Sequence, residues 1–238
     1  MYYIEVNGER SDRLGLKMLV GMERINAVDD VEEIEVLGRD GVLIRDNQRK
    51  RPIQRNFEFT VEDDRELINI EERLTEWLDF TGFKDAVLSW DDDYIYRIRP
   101  FKAFELDEIV FKFGKLNLGF QFHPVKYWQG GRNPIEITSG DVLKNRERNI
   151  AQPTIKIEGD GDISLFVNGR ETRFENVQDG VIIDSEKRLV HWDTRPQWQK
   201  LMRLSENDFP YFDKGENEIT FYGGVTKVEV TPNWSVKL

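Results

Sequence analysis

The chain has 238 residues, a mass of 28.1 kDa and a formal net charge of −11, from 34 Lys and Arg against 45 Asp and Glu. It contains no cysteine, which excludes disulfides, thiolate metal sites and a cysteine nucleophile. The acidic balance argues against binding of nucleic acid across the whole surface, because the phosphate backbone favours cations. No apolar run approaches the roughly 18 residues of a membrane helix, and residues 1–8 lack the pattern of a signal peptide. We therefore expect a soluble chain without a membrane partner.

The first half of the chain indicates strands and one helix. The alternation that places Phe57 and Phe59 on one face is typical of a strand, and we interpret residues 41–61 as a long hairpin whose tip, residues 45–55, is charged. Between residues 64 and 80 the apolar positions follow helical spacing, which predicts an amphipathic helix of about four turns that covers a sheet. Further strands are predicted at residues 31–37, 86–90, 94–98, 108–113 and 116–122.

The second half indicates a separate domain built of short strands. A Gly- and Pro-rich segment near residues 130–133 marks a boundary, so we predict a first domain of residues 1–131 and a second of residues 132–238. Strand signals recur at short intervals, which is typical of an antiparallel β-sandwich. They fall at residues 154–158, 162–167, 170–174, 181–183, 188–191, 218–222 and 226–230, with turns predicted at Asn168-Gly169 and at Asp160-Gly161-Asp162.

No group of residues carries a recognisable catalytic chemistry. The two histidines, His123 and His191, lie in different predicted domains, and neither a Gly-x-Ser-x-Gly elbow nor a Gly-Lys-Ser/Thr phosphate loop occurs. Residues 91–93 are consecutive aspartates, which we interpret as a polar turn, because a calcium loop places its ligands at alternate positions. The sequence therefore predicts a protein that is not an enzyme, with no catalytic residue, no metal site and no cofactor.

Two sets of side chains are candidates for binding. Five cations form a basic cluster in this acidic chain, and we identify them as candidate subunit-interface residues: Arg45, Arg49, Lys50, Arg51 and Arg55. They are either a solvated hairpin tip or an arm that docks electrostatically onto an acidic neighbour, such as an identical subunit. The second half has three tryptophans that either pack in a core or form a sugar-stacking platform. They are Trp192, Trp198 and Trp234.

Several short motifs follow one another in a recognisable order. In the first half they are Gly38-Arg39-Asp40-Gly41, Trp77-Leu78 at the end of the predicted helix, and Phe120-Gln121-Phe122-His123-Pro124. In the second half they are Ala151-Gln152-Pro153, Val167-Asn168-Gly169, Ile183-Asp184, Phe209-Pro210 and Gly215-Glu216-Asn217. Their order and the chain length resemble the distal tail proteins of long-tailed bacteriophages, the Dit or siphovirus tail component family. The chain departs from that pattern at His123, where many relatives carry a cysteine, and at residues 146–149, which lack an Asn-x-Gly.

The resemblance implies a structural hub without catalysis. Such proteins form a homo-hexameric ring at the tip of the phage tail, assembled in the host cytoplasm. The implied fold is mainly β, with a β-rich α+β ring domain that has one amphipathic helix, followed by a galectin-like antiparallel β-sandwich. The implied partners are identical subunits, the tail tube protein, the tail-tip spike protein of the tail-associated lysin type, and a receptor-binding protein. Double-stranded DNA would pass through the lumen without sequence-specific binding, which agrees with the charge of −11.

A carbohydrate-binding β-sandwich module that contacts cell-wall glycans is the alternative function. It predicts a monomer with two or more exposed aromatic side chains on a concave face. A glycoside hydrolase ranks last, because paired carboxylates occur by chance in a chain with 45 acids.

Overall fold

The computed structural model describes residues 2–19, 26–62, 67–103, 105–110, 113–202 and 209–238. The chain divides into two compact units. Unit 1 comprises Met1–Lys126 with Lys237–Leu238, and unit 2 comprises Tyr127–Val236. The domain boundary that we predicted at residue 131 lies inside the short 3-10 helix Gln129–Arg132, near the beginning of unit 2.

The first part of the chain alternates short and long strands around one α-helix. The elements are β1 (Ile4–Val6), β2 (Glu9–Arg10), a 3-10 helix (Ser11–Leu14), β3 (Leu16–Met18), β4 (Asp29–Glu35), β5 (Val42–Lys50), β6 (Ile53–Glu62), α1 (Leu67–Leu78), β7 (Lys84–Leu88), β8 (Tyr94–Pro100), β9 (Glu105–Val110), β10 (Phe113–Phe122) and β11 (Val125–Trp128).

The remainder of the described chain consists of strands and short 3-10 turns. The elements are β12 (Ile135–Ile137), β13 (Asp141–Asn145), β14 (Thr154–Val167), β15 (Arg170–Val177), β16 (Gly180–Asp184), β17 (Leu189–Trp192), β18 (Arg195–Pro196), a 3-10 helix (Trp198–Lys200), β19 (Leu201–Met202), β20 (Gly215–Thr231) and β21 (Ser235–Lys237).

The main sheet of unit 1 has the strand order β2-β1-β7-β8-β10-β6-β3, with β9 also paired to β10. β6 pairs with β10 along its whole length, and its alternation buries Phe57, Phe59 and Val61 as predicted. α1 contributes Ile70 and Trp77 to the same core. The predicted helix is confirmed as an amphipathic element that covers a sheet, and its described residues, Leu67–Leu78, lie within the predicted limits.

The hairpin that we predicted over residues 41–61 is wrong. β5 pairs with β4, whereas β6 belongs to the main sheet and does not share a ladder with β5 among the described residues. The physical reason lies in the side chains: β6 alternates aromatic and polar residues and joins the core. β5 has no buried face among its described residues, and its cations complement the acidic residues of β4. The turn of the true hairpin spans residues 36–41, so the basic cluster is not at a tip.

Unit 2 is organised around the two long antiparallel strands β14 and β20. The first half of β14 pairs with β16 and its second half with β15, yet Ile157 and Ile163 from the two halves belong to one buried cluster. The strand therefore bends over its own core and contributes to two layers. The predicted turn at Asp160-Gly161-Asp162 is wrong, because these residues lie within β14 at an irregular register opposite β20.

The predicted fold class is confirmed as mainly β with antiparallel sheets. The ladders along the main sheet of unit 1, those between β14 and β20 and between β12 and β20 in unit 2, and the ladder between β4 and β5 are antiparallel. Among the described residues, α1 is the one helix that exceeds a single 3-10 turn. Within that part of the chain, no helix is long and apolar enough to cross a lipid bilayer.

Candidate functional site

β4 and β5 form a two-stranded arm that belongs to neither of the larger sheets. We call residues 29–51 the arm. Its ladder pairs Glu33 with Ile44 and Ile34 with Leu43, so each face of the ribbon carries both acidic and aliphatic side chains. A two-stranded ribbon is only marginally stable alone in water, since it has no third layer to bury its apolar side chains. The arm is therefore a part of the molecule that needs a partner surface.

The distal half of the arm exposes large aliphatic side chains. Leu37, in the turn, is fully exposed, and Ile44 keeps 67% of its accessible surface. The other exposed aliphatic residues of this half are Ile34, Val36, Val42 and Leu43. Exposed apolar side chains that are contiguous along one element mark protein contact sites more often than isolated ones do. We call these six residues the apolar end of the arm.

The base of the arm is held by a carboxylate that receives two guanidinium groups. Asp30 is only 7% exposed, and its two oxygens accept hydrogen bonds from Arg49 Nε over 2.5 Å and from Arg51 Nε over 2.7 Å. Arg51 also donates through Nη2 to the Val31 carbonyl over 3.1 Å. The hydrogen bonds from Arg51 and Arg49 hold the pKa of the Asp30 carboxyl below its usual range. These contacts join the end of β5 to the beginning of β4 at the base of the arm.

Further ion pairs run along the arm, and all of them join β4 to β5. Lys50 Nζ lies 2.7 Å from Asp29 Oδ1, and Arg45 Nη1 lies 3.8 Å from Glu32 Oε2. Both pairs are exposed, so each stabilises the arm by only about 0–1 kcal/mol. Glu33 and Glu35, which point away from these pairs near the apolar end, form no ion pair with any described residue. The exposed surface at this end of the arm therefore combines the aliphatic side chains of the apolar end with the negative charges of Glu33 and Glu35.

The five cations that we identified from the sequence do not act as one group. Arg45, Arg49 and Lys50 lie on β5 and Arg51 follows it, and all four are paired with acids of β4 within the same chain. Arg55 lies apart from them on β6, where its Nη1 donates to the Gln54 carbonyl over 3.0 Å. Whether these cations also contact another subunit stays a prediction.

The aliphatic residues of the apolar end were not identified from the sequence. A signal for them was present: an acidic run over residues 29–35 precedes a basic run over residues 45–51, and such complementary runs flanking Gly38 and Gly41 favour a hairpin between them. Aliphatic residues in the middle of that hairpin have no core to enter. The turn-forming Gly38 and Gly41 both have positive φ angles, of 83° and 80°.

The tryptophan platform that we considered for the second domain is not formed by the described side chains. Trp234 is buried in the core of unit 2, where its ring lies 5.3 Å from that of Phe212. Trp192 is half-buried on β17 and packs against Gly180. The side chain of Trp198 lies outside the described residues.

Residues 91–93 form the predicted polar turn, and Asp91 has a structural role in it. Asp91 Oδ2 accepts hydrogen bonds from Lys126 Nζ, over 2.5 Å, and from the hydroxyl of Tyr96. Burial and the neighbouring Asp91 raise the pKa of Tyr96 well above its usual range. Among the residues that the structure describes, no group of three or more His, Cys, Asp or Glu could hold a metal ion.

Comparison with known proteins identifies a structural relative that matches along the whole chain. No protein-family model and no curated protein matches the sequence. The structure is similar to the crystal structure of SPP1 Dit (gp 19.1), which is described as a paradigm of the hub adsorption apparatus in phages that infect Gram-positive bacteria. The two share 13% sequence identity, the match covers 99% of each chain, and the TM-score is 0.73. The chain therefore has the fold of this Dit protein, and the predicted resemblance is confirmed at the level of the fold.

Proposed function

We propose that this protein is a structural component of a bacteriophage tail, of the distal tail class, and that its copies associate through the arm. The observation that carries the proposal is the apolar end of the arm, which exposes six large aliphatic side chains on a two-stranded ribbon that belongs to neither of the larger sheets. The similarity of fold to SPP1 Dit supports the choice of a tail hub over other assemblies.

We infer a closed ring from this proposed mode of contact. An arm that docks on a different surface of the next copy makes a head-to-tail contact, and repetition of such a contact around an axis closes a ring. We propose a homo-hexamer at the tail tip, assembled in the host cytoplasm. This ring would join the tail tube protein to the tail-tip spike protein and carry a receptor-binding protein. Double-stranded DNA would pass through its lumen, and the net charge of −11 would disfavour adhesion of the phosphates.

The proposed role is non-enzymatic. The described residues offer an exposed apolar arm and paired surface charges as their functional features, and the fold is shared with a protein described as an adsorption hub. The alternative, a carbohydrate-binding module, depended on a platform of exposed tryptophans. Trp234, one of the three candidates for that platform, packs in the core.

The mass of the purified protein tests the proposal. We expect light scattering at micromolar concentration to give about six copies for the parent chain. The double variant Leu37→Ser, Ile44→Ser should be a monomer with an unchanged fold, because both side chains are exposed in the single chain. The matched control is Tyr222→Ser, which removes a 63% exposed aromatic residue from unit 2 and should leave the ring intact. A parent chain that stays monomeric at all accessible concentrations would contradict the proposal, and a double variant that still forms rings would exclude the apolar end as the contact.

A further inference from the structure

Two turns of the chain have the same core sequence and the same backbone shape. Val6-Asn7-Gly8 joins β1 to β2, and Val167-Asn168-Gly169 joins β14 to β15. Asn7 and Asn168 have φ angles of 52° and 51°, and the glycines that follow them have φ angles of 82° and 77°. In both hairpins the residues on either side of the Asn-Gly pair face each other across the ladder, as in a two-residue hairpin loop.

The backbone surroundings of the two turns are also alike. The valine before each asparagine is buried, with 0% and 1% of its surface exposed. The backbone N–H of Asn7 donates to the Asp85 carbonyl over 3.2 Å, and that of Asn168 donates to the Glu218 carbonyl over 3.0 Å. Any difference in reactivity between the two asparagines therefore has to come from their side chains and from the strands that they join.

An Asn-Gly pair can lose the side-chain amide of its asparagine without an enzyme. The backbone nitrogen of the glycine attacks Cγ of the asparagine: a C–N bond forms, the Cγ–Nδ2 bond breaks, and ammonia leaves with the proton of the glycine N–H. Water then opens the cyclic imide at either carbonyl and leaves aspartate or isoaspartate. Glycine favours the attack because it has no Cβ atom to obstruct it. The asparagine amide must turn towards the glycine, so the rate depends on what holds that amide.

The amide of Asn168 is held by three hydrogen bonds. Nδ2 donates to Asp213 Oδ2 over 3.0 Å and to Asn217 Oδ1 over 2.9 Å. Oδ1 accepts a hydrogen bond from the backbone N–H of Glu218 over 3.0 Å. Asn217 is fully buried, so this contact is anchored inside unit 2. These hydrogen bonds must break before the amide can reach the nitrogen of Gly169, which slows the reaction.

The amide of Asn7 is not held in this way. The residue is exposed, and its side chain forms no hydrogen bond with any residue that the structure describes. Its hairpin is also short, because two residue pairs join β1 to β2, and β2 lies at the edge of the main sheet of unit 1. β14, by contrast, is paired with both β15 and β20. Short edge strands open more readily than strands that are paired on both sides.

From this difference we infer that Asn7 is a site of spontaneous deamidation in the folded protein, and that Asn168 is protected from the same reaction. The co-reactant is water. Either product adds one negative charge at the edge of the main sheet, and isoaspartate also adds one carbon atom to the main chain of the turn. The lengthened turn no longer matches the Val6–Glu9 pair that it closes. The site lies outside the arm, so its test does not depend on the association of copies.

Incubation of the full-length protein at mildly alkaline pH, followed by digestion at acidic pH and peptide mass spectrometry, tests the inference. Each conversion replaces an NH2 group with OH, and fragmentation assigns the gain of mass to residue 7 or to residue 168. In the folded protein, Asn7 should convert at least about tenfold faster than Asn168, because the hydrogen bonds of the Asn168 amide have to break first. In concentrated urea, where neither hairpin is formed, the two asparagines should convert at similar rates.

Two outcomes of this experiment would overturn the inference. One is a folded protein in which Asn168 converts as fast as Asn7 or faster. The other is a folded protein in which Asn7 stays intact while the chain in urea converts it, because the turn between β1 and β2 would then protect its asparagine as well.

One variant and a matched control test the cause of the protection. Asp213→Ala removes an acceptor from Asn168 Nδ2, so it should speed conversion at residue 168 several-fold and leave the rate at Asn7 unchanged. Glu216→Ala removes an exposed carboxylate from the same part of the chain without touching the Asn168 amide, and both rates should stay as in the parent. A rate at residue 168 that does not rise in Asp213→Ala would refute the protective role of these hydrogen bonds.

Discussion

Arg51 donates a hydrogen bond from Nε to Oδ1 of Asp30 over 2.7 Å, and this contact joins the end of β5 to the beginning of β4. The backbone N–H of Arg51 also donates to the Val28 carbonyl over 2.9 Å, so the same residue closes the ladder at its base. The two strands are thus tied together at the base of the arm, while its apolar end stays exposed. The charged side chains of the arm therefore stabilise it through contacts within a single chain, without a second copy.

The first prediction concerns the loosening of the arm at low pH. Because the hydrogen bonds from Arg51 and Arg49 lower the pKa of Asp30 in the folded chain, their stabilising effect is complete above the unfolded pKa of about 3.9 and is lost as the pH falls through the lower, folded value. Amide exchange of Arg51 should therefore become several-fold faster as the pH drops below about 4, after correction for intrinsic exchange. In Asp30→Asn the amide should exchange faster at neutral pH and show no such pH dependence. Asp29→Asn, which removes only an exposed pair with Lys50, is the control and should behave like the parent chain.

The second prediction concerns reversal of the basic cluster. The triple variant Arg49→Glu, Lys50→Glu, Arg51→Glu should weaken ring assembly, more at low salt than at high salt. The structure adds that it should also loosen the arm of the monomer, because it places three carboxylates beside Asp29 and Asp30. Arg45→Glu reverses the charge of a cation whose intrachain contact, with Glu32, is long, at 3.8 Å. This variant tests the effect of charge on ring assembly while the contacts at the base of the arm stay intact. If the triple variant assembles like the parent at low salt, these cations make no contribution to the interface.

The elements that could be predicted from the sequence are those whose apolar residues recur at a regular spacing. The alternation around Phe57 and Phe59 and the helical spacing up to Trp77 reflect burial against a core, and both elements form as expected. The partner of β5 could not be predicted from periodicity. Strand pairing depends on residues that are distant in the sequence, and β5 has no buried face that would indicate its neighbour. β6 follows β5 directly and was the simplest partner, yet its apolar face belongs to the core of unit 1.

The length of β14 and the burial of the Ser185 hydroxyl were hidden for other reasons. Gly159 and Gly161 resemble turn residues, but here they allow β14 to bend while it stays paired with β20. Ser185 has no local signal that distinguishes it from other turn serines. Only the fold reveals that its hydroxyl is buried without a partner.

The third prediction concerns Tyr96 at high pH. Burial and Asp91 raise the pKa of its phenol in the folded chain, while the unfolded chain titrates near 10. Above pH 10 the unfolded chain therefore loses a proton that the folded chain keeps, and the free energy of unfolding falls as the pH rises. The Tyr96→Phe variant lacks this contribution. Urea unfolding at pH 8 and pH 11 should show a loss that is about 1 kcal/mol larger in the parent than in the variant. An equal loss in both proteins would show that the Tyr96 phenol is not the responsible group.

The fourth prediction concerns the independence of unit 2. Its buried cluster is formed by residues of the unit itself, and its two ends are joined by the hydrogen bond from Trp128 N–H to the Trp234 carbonyl, over 2.9 Å. A fragment of residues 127–236 should therefore fold as a soluble monomer with a cooperative urea transition. Dispersed amide resonances together with a monomeric sedimentation coefficient would agree with this expectation. A fragment with the spectrum of an unfolded chain would show that unit 2 needs the rest of the protein.

The last prediction concerns the bend of β14 against β20. Gly223 has φ = 105°, and a Cβ atom there would lie 2.1 Å from the carbonyl oxygen of Asp162. That carbonyl cannot easily withdraw, because Asp162 also accepts a hydrogen bond through Oδ1 from the Asn176 backbone N–H, over 3.1 Å. Gly161 is the matched control: its φ is 85°, but a Cβ atom would meet no atom within 4 Å.

Gly161→Ala should therefore lower the free energy of unfolding by about 1–2 kcal/mol through backbone strain alone. Gly223→Ala adds the steric conflict to the same strain and should lower the free energy by about 3 kcal/mol or more. Urea denaturation of both variants, followed by tryptophan fluorescence, measures the difference. Equal losses of unfolding free energy in the two variants would mean that β14 and β20 can move apart at Gly223 without cost. Their close contact there would then not determine the bend.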